Sequence, residues 1–242
     1  MSKEFEIVRE FEVDASPEQV WDAITTGTGG WLWPMEYEQR EGGAAPFGGT
    51  VTAWDPPHRL TGRTENVEDI AVQTFNQVDH LIEPREGGGS WVRYVHSGIF
   101  VEDWDNQYDG ASKHTDFYLH TLRQYVLHFT GRQAAFTTLS GPAAAGAPGS
   151  FEVARRALGI ADDAAQGDRV SVELPGAGRV PAVLDYRNTY FIGLRTDQAM
   201  YRFFGRDHFG ATVGVSVHDF APDADAARIE ADWKEWLAAV YA

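Results

Sequence analysis

The segment between residues 35 and 98 constrains the fold more than any other part of the sequence. Apolar and polar residues alternate in short stretches of it, a pattern typical of strands with one buried face. Pro56, Pro57 and the run Gly87 to Gly89 mark turns, because Pro presets φ and Gly permits positive φ. The predicted strands are residues 35–41, 50–54, 59–64, 75–83 and 91–98. Strands joined by such short turns predict an antiparallel meander.

Helical patterns flank this meander. A strand predicted at residues 5–13 is followed by a helix with Ser16 as its N-cap, and the Gly-rich stretch 27–30 ends that helix. Residues 114–130 carry apolar side chains at helical spacing, and Gly131 suits the C-terminal end. The first half is therefore predicted to be α+β, with a sheet followed by a long helix.

The element order partly recurs in the second half. Residues 140–150 are rich in Ala, Gly and Pro, a composition typical of a linker. Beyond them we predict a helix, a series of strands and an amphipathic helix, at residues 152–160, 169–220 and 223–241. The predicted organisation is a domain at 1–136, a linker at 137–150 and a shortened repeat at 151–242. Because both long helices carry large apolar faces, we expect the repeat to pack against the first domain.

Composition excludes several classes of function. The chain has 20 Lys and Arg against 36 Asp and Glu, a formal charge of -16, which repels phosphate backbones and anionic lipid surfaces. Nucleic acid and membrane are therefore not expected partners. There is no Cys, the first nine residues lack a signal-peptide pattern, and no stretch reaches the roughly 18 apolar residues of a membrane span. The expected location is the cytoplasm.

Four short motifs together resemble a known superfamily. They are Ala15 to Ile24, Gly49 to Leu60, Val95 to Gly98, and Tyr108 to Gly110 leading into the helix with Leu122 and Tyr125. Their order and spacing are similar to the START-like or SRPBCC superfamily of helix-grip, Bet v 1-like proteins, in the branch named for the activator of heat-shock-protein ATPase. The resemblance implies a curved antiparallel sheet wrapped around a long C-terminal helix, with a hydrophobic cavity between them. The chain departs from the family pattern in its short segment 41–47, in Thr115 where a Trp is common, and in its second half.

Aligned to this resemblance, two strands present polar side chains to the cavity. His80 lies between Val78 and Ile82 on one strand face, and Tyr94 and His96 follow Val92 on the next, while Asp79, Trp91 and Arg93 face away. The alternative is that both His are ordinary core residues, hydrogen-bonded to backbone or water.

Other predicted site residues lie on the remaining walls. Trp31 and Trp33 either cap the cavity mouth or attach the short helix to the sheet, and Tyr118 and Leu122 form the wall opposite the strands. The predicted ligand-binding residues are Trp31, Trp33, His80, Tyr94, His96, Tyr118 and Leu122.

Metal and cofactor chemistry has little support in the sequence. The eight His residues are scattered without ligand spacing. The acidic segment 102–110 does not fit a calcium loop, since the sixth and twelfth positions counted from Asp103 hold Tyr108 and His114, and it is predicted to be a solvated loop. We predict no metal, no cofactor and no catalytic set.

Three functions therefore remain open. The first is an intracellular binding protein for a small, mainly apolar ligand. The second is a cyclase- or hydrolase-type enzyme of the same superfamily, with His80, Tyr94 or His96 as acid or base. The third, suggested by the name of the family branch, is a co-chaperone or interaction protein with a protein partner.

Overall fold

The same strand order occurs twice along the chain. A computed structural model describes residues 2–65 and 73–242, and the chain divides into Met1–Gly131 (unit 1) and Arg132–Ala242 (unit 2). Each unit contains a six-stranded antiparallel sheet followed by a helix at its C-terminal end. The predicted α+β class and helix-grip fold are confirmed.

Unit 1 places its first strand beside its last. Its strands are β1 (Lys3–Val13), β2 (Ala44–Ala45), β3 (Gly49–Asp55), β4 (Arg59–Glu65), β5 (Gln73–Pro84) and β6 (Ser90–Phe100). Its helices are α1 (Pro17–Ile24) and α2 (Trp104–His128), with short 3-10 helices at Thr28–Gly30 and Pro46–Gly48. The sheet order is β1-β6-β5-β4-β3-β2, and every neighbouring pair is antiparallel.

Local interactions determine how α1 begins and how the chain leaves it. The Ser16 hydroxyl accepts from the Gln19 N–H at 3.3 Å, and the Gln19 side chain accepts from the Ser16 N–H at 2.8 Å, which is a capping box. After α1 the backbone passes so close to α2 that a Cβ at Gly30 would overlap the ring of Tyr125. Gly30 therefore keeps the segment that follows it close to α2.

The long helix begins earlier than the sequence predicts. Residues 102–110, predicted to be a solvated loop, mostly form the first turns of α2. The rings of Trp104 and Tyr108 stack with centroids 4.7 Å apart, and both pack against a core that includes Phe5 and Phe100. This aromatic pair has i, i+4 spacing, but acidic residues surround it in the sequence. The sequence pattern therefore did not indicate an apolar helix face there.

The predicted strand at residues 35–41 is wrong. That segment is irregular and ends in a turn, and only Ala44–Ala45 pairs with β3. The Glu38 carboxylate accepts hydrogen bonds from the Ala44 N–H at 3.1 Å and from Arg40 Nε at 2.8 Å. These side-chain bonds stabilise the turn in place of a strand ladder.

Unit 2 repeats the topology of unit 1 with all six strands. Its strands are β7 (Ala135–Ser140), β8 (Arg169–Leu174), β9 (Gly178–Arg187), β10 (Phe191–Arg195), β11 (Ala199–Phe204) and β12 (Gly214–Asp219). Its helices are α3 (Ser150–Ala157) and α4 (Ala226–Val240), with 3-10 helices at Ala143–Gly146 and Arg206–Phe209. The sheet order β7-β12-β11-β10-β9-β8 corresponds strand by strand to that of unit 1.

The predicted linker at 137–150 is wrong. β7 pairs with β12 from Ala135 to Ser140, so this segment is an edge strand of the second sheet. Small residues are required next to it, because a Cβ at Gly141 would overlap Ala145, which is fully buried. Unit 2 therefore includes residues 132–150 and is a full set of strands rather than a partial repeat. The predicted packing of the two halves stays a prediction.

The interior of unit 2 is filled by aromatic side chains. Trp233 of α4 is 2% exposed, and its ring centroid lies 5.5 Å from that of Phe203 and 5.9 Å from that of Tyr201 on β11. Trp236 packs against Trp233 at 5.3 Å. In unit 2 the space between helix and sheet is thus occupied by the protein itself.

Candidate functional site

Unit 1 contains a cavity of about 320 Å³ between its sheet and α2. Four parts of the unit form its walls: the segment that follows α1, the connection between β2 and β3, strands β4 to β6, and the middle of α2. Apolar side chains dominate the lining, and the described residues that line it include no Asp, Glu, Lys or Arg. A volume of this size suits a small organic molecule.

The strands present their polar side chains to this cavity, as the alternation predicts. Val78 pairs with His96 across β5 and β6, and His80 pairs with Tyr94, so all four lie on one face of the sheet. All four line the cavity. His80 and His96 are diagonal neighbours on this face, close enough for one small ligand to contact both.

Three apolar residues expected at the cavity belong instead to the closely packed interior. Ile82 and Val92 pair directly with each other and are both 0% exposed, and Leu122 on α2 is 1% exposed. None of the three lines the cavity. Leu122 is therefore a correction to the predicted site, because it lies about 4.5 Å further along the helix axis than Leu119, the last residue of α2 that lines the cavity.

The wall supplied by α2 consists of residues at helical spacing. Ala111, Thr115, Tyr118 and Leu119 line the cavity; Thr115 is four residues after Ala111, and Tyr118 and Leu119 are three and four residues after Thr115. The Thr115 and Tyr94 side chains are hydrogen-bonded, which joins this wall to the strands. Thr115, the residue that stands where the family commonly has Trp, thus leaves space and supplies a polar partner.

The two predicted Trp residues both line the cavity but differ in their hydrogen bonding. Trp31 is 5% exposed and its indole N–H donates to the Ala23 carbonyl at 2.8 Å, which attaches the segment to α1. The indole Nε1 of Trp33 is buried and has no hydrogen-bond partner among the described residues. Its ring lies 6.1 Å from Phe47 and 5.9 Å from Tyr118, on the opposite wall.

Burial keeps His80 and His96, two of the three histidines that line the cavity, uncharged. Desolvation lowers the pKa of His80 to about 4 and the pKa of His96 to about 4, and at His80 the nearby Asp79 carboxylate opposes this only in part. Both ring nitrogens of His80 and Nε2 of His96 lack a hydrogen-bond partner among the described residues. The alternative was that both His are ordinary core residues hydrogen-bonded to backbone or water. Among the described residues, no backbone group bonds these three nitrogens.

Burial also favours the neutral form of the phenols in the cavity. Desolvation raises the pKa of Tyr37 to about 12, and it also raises the pKa of Tyr94. At neutral pH His80 and His96 are thus neutral imidazoles, and Tyr37 and Tyr94 are neutral phenols. An uncharged imidazole with a pKa near 4 is not protonated at neutral pH, so it is a poor general acid there.

Several lining residues were missed by sequence reasoning. Tyr37 and Met35 lie in the irregular segment predicted to be a strand, and Leu119 stands next to the predicted Tyr118. Phe47 lies in the connection to β3 with φ of 59°, and half of its side chain is exposed (51%). Helical spacing could have indicated Leu119, whereas nothing local marks the others.

Across residues 2–65 and 73–242, no three His, Asp or Glu side chains are grouped so that they could hold a metal ion. None of the helices in the same ranges combines the length and apolar character needed to cross a membrane.

Comparison with known proteins gives only distant likenesses. No protein-family model matches the chain, and no curated protein matches it. The structure is similar to that of protein MLL2253 from Mesorhizobium loti, at 24% identity over 51% of this chain and 96% of that chain, with a TM-score of 0.42. It is also similar to the Aha1 dimer from Colwellia psychrerythraea, at 19% identity over 50% of this chain and 96% of that chain, with a TM-score of 0.41.

The structure is also similar to that of DynU16, described as a putative protein in the dynemicin biosynthetic locus, at 14% identity over 98% of this chain and 95% of that chain, with a TM-score of 0.40.

Proposed function

We propose that this protein binds a small, mainly apolar molecule in the cavity of unit 1. The observation that carries this proposal is a cavity of about 320 Å³ whose described lining has apolar walls, a few polar side chains and no charged residue. Such a combination is typical of small-molecule sites, where apolar surface supplies affinity and a few polar groups orient the ligand. The aromatic rings of Trp33, Tyr94 and Tyr118 are suited to pack against a flat or aliphatic ligand.

Unit 2 supports this proposal by contrast. It has the same strand order, yet Trp233 occupies the space between helix and sheet. Protein interiors are normally packed without voids larger than a water molecule, because empty space forfeits dispersion contacts. The same topology can therefore be fully packed, as in unit 2, whereas unit 1 leaves a cavity between its helix and its sheet.

The direct test is native mass spectrometry of the protein purified from its own host. We expect a bound small molecule that is lost on denaturation. The matched control is Leu119→Trp, which places an indole inside the cavity and should abolish the added mass. A preparation that carries no small molecule, and that also fails to bind any apolar dye, would contradict the proposal.

The second candidate is an enzyme of the cyclase or hydrolase type. The observation that favours it is the pair His80 and His96, whose buried ring nitrogens line the cavity. Such an enzyme would give a pH-rate profile with an acid limb that disappears in His96→Ala. The same profile in both proteins would discard this candidate.

A further inference from the structure

Some polar atoms of the cavity lining have a hydrogen-bond partner within the protein, and others do not. Trp31 donates to a backbone carbonyl, Tyr94 is bonded to Thr115, and His114 Nδ1 lies 2.8 Å from the Gly110 carbonyl oxygen. Four other ring nitrogens are buried and have no partner among the described residues. They are Trp33 Nε1, His80 Nδ1, His80 Nε2 and His96 Nε2.

These four atoms concentrate on one cavity. Native proteins satisfy the large majority of their buried polar groups, because an unpaired donor or acceptor forfeits its hydrogen bonds to water. All three side chains line the same space, and each is held in position by ring contacts, His80 with Tyr94 at 5.1 Å and His96 with Phe5 at 5.0 Å. The arrangement points to partners that a bound molecule brings with it.

The chemistry of the nitrogens defines those partners. A neutral imidazole has one N–H donor and one acceptor nitrogen, so a group that both donates and accepts, such as a hydroxyl, suits His80 and His96. The indole of Trp33 only donates, so it requires an acceptor, such as a hydroxyl, carbonyl or ether oxygen. A ligand would thus need two oxygen functions, one to bond His80 and His96 on the strands and one to bond Trp33 in the segment after α1.

The charge of the ligand follows from the lining. No described lining residue is an acid or a Lys or Arg, so a carboxylate or an ammonium group would be buried without a counter-charge. Burial lowers the pKa of His80 and of His96 to about 4, so neither of these two anchors is a cation at neutral pH. The third histidine of the lining, His114, has its Nδ1 2.8 Å from the Gly110 carbonyl oxygen. A charged group of the ligand is therefore disfavoured next to His80 and His96.

We propose that the cavity selects an uncharged, mainly apolar molecule with two oxygen functions, a hydroxyl at His80 and His96 and an acceptor oxygen at Trp33. This inference rests on the proposed function, because it describes the occupant of the same cavity. It assigns the polar anchors to His80, His96 and Trp33 rather than to Tyr94, whose hydroxyl already has a partner.

A series of biphenyls tests this selection with one carbon skeleton. Biphenyl, 4-hydroxybiphenyl, 4,4′-dihydroxybiphenyl and biphenyl-4-carboxylate differ only in their polar ends, and equilibrium dialysis measures the dissociation constant of each. With the full-length protein we expect each hydroxyl to tighten binding by about 2- to 10-fold, and the carboxylate to bind more weakly than biphenyl itself.

Single substitutions then locate the two sites. His80→Phe, His96→Phe and Trp33→Phe keep an aromatic ring but remove the ring nitrogens, so each should reduce the ratio between the dissociation constants of biphenyl and 4,4′-dihydroxybiphenyl. The matched control is His58→Phe, the same change at a histidine of unit 1 that does not line the cavity, which should leave this ratio unchanged. A cooperative thermal transition shows that each variant is folded.

NMR of the unaltered protein gives a second measurement that does not depend on the variants. The side-chain ¹⁵N shifts of His80 and His96 should move on addition of 4,4′-dihydroxybiphenyl and much less with biphenyl. If biphenyl binds but hydroxyls add no affinity and move no histidine shift, this inference is wrong while the proposed function stands. If neither a biphenyl nor an apolar dye binds and no small molecule co-purifies, the proposed function is wrong as well.

Discussion

His80 and His96 make the stability of the protein sensitive to acid. Both have a pKa of about 4 in the folded protein because of desolvation, against an ordinary value of 6.5. The folded pKa lies below the unfolded one, so the unfolded chain takes up protons first as the pH falls. The stabilisation is complete above about pH 6.5 and is lost progressively between about pH 6.5 and about pH 4.

We therefore predict that the free energy of unfolding decreases by up to about 1.4 kcal/mol per pH unit for each histidine in that window. Urea unfolding between about pH 7 and about pH 5 measures it, a range chosen to avoid most carboxylate titration. The variants His80→Phe and His96→Phe should each lose a part of this pH dependence. An unchanged slope in both variants would mean that neither imidazole is held neutral by burial.

At the scale of elements, α2 both completes the core and forms one cavity wall. Leu119 lines the cavity, whereas Leu122, one turn further along, is 1% exposed and lies in the closely packed interior. The two positions carry the same side chain on the same helix. They therefore separate the effect of occupying the cavity from the effect of crowding the core.

We predict that Leu119→Trp blocks binding of an environment-sensitive apolar dye with a small change in stability, because the indole enters open space. Leu122→Trp should instead destabilise the protein by about 1–3 kcal/mol, because it overpacks the core. Dye fluorescence and urea unfolding of both variants check this. Equal loss of stability in the two variants would show that the space next to Leu119 is not open.

At the scale of the whole molecule, two copies of one topology have different interiors. Unit 1 keeps a cavity between helix and sheet, and unit 2 fills the corresponding space with Trp233. We predict that Trp233→Ala costs about 3–5 kcal/mol, because a fully buried aromatic side chain is removed. Unfolding by urea, followed by circular dichroism, measures this loss. A cost below about 1 kcal/mol would mean that the indole is not part of a packed core.

The assignment of residues 135–140 to strand β7 of unit 2 gives a second prediction at this scale. If residues 135–140 form β7, an edge strand paired with β12, hydrogen bonds to β12 should protect alternate amides from exchange with solvent. Hydrogen exchange should then show slow exchange at every other residue of β7 and fast exchange in the Gly87 to Gly89 turn, which serves as the control. Exchange in residues 135–140 as fast as in that turn would restore the linker interpretation.

The sequence by itself determined the fold class, most of the strands and the residues that β5 and β6 present to the cavity. Strand alternation has a period of two, so one assignment decides the facing of Val78, His80, Tyr94 and His96 together. The tertiary structure alone decided that Leu119 rather than Leu122 meets the cavity. The two positions lie on the same side of α2 and about 4.5 Å apart along its axis, so the point along the helix at which the cavity ends selects between them.

Hydrogen-bond partners were likewise decided only by tertiary structure. Trp31 and Trp33 are two residues apart and alike in sequence, yet only Trp31 reaches a carbonyl. Similarly, the composition of residues 137–150 is typical of a linker, but β12, some 75 residues further along the chain, supplies the partner that makes β7 a strand. Pairings of this kind depend on groups distant in sequence, which local patterns do not record.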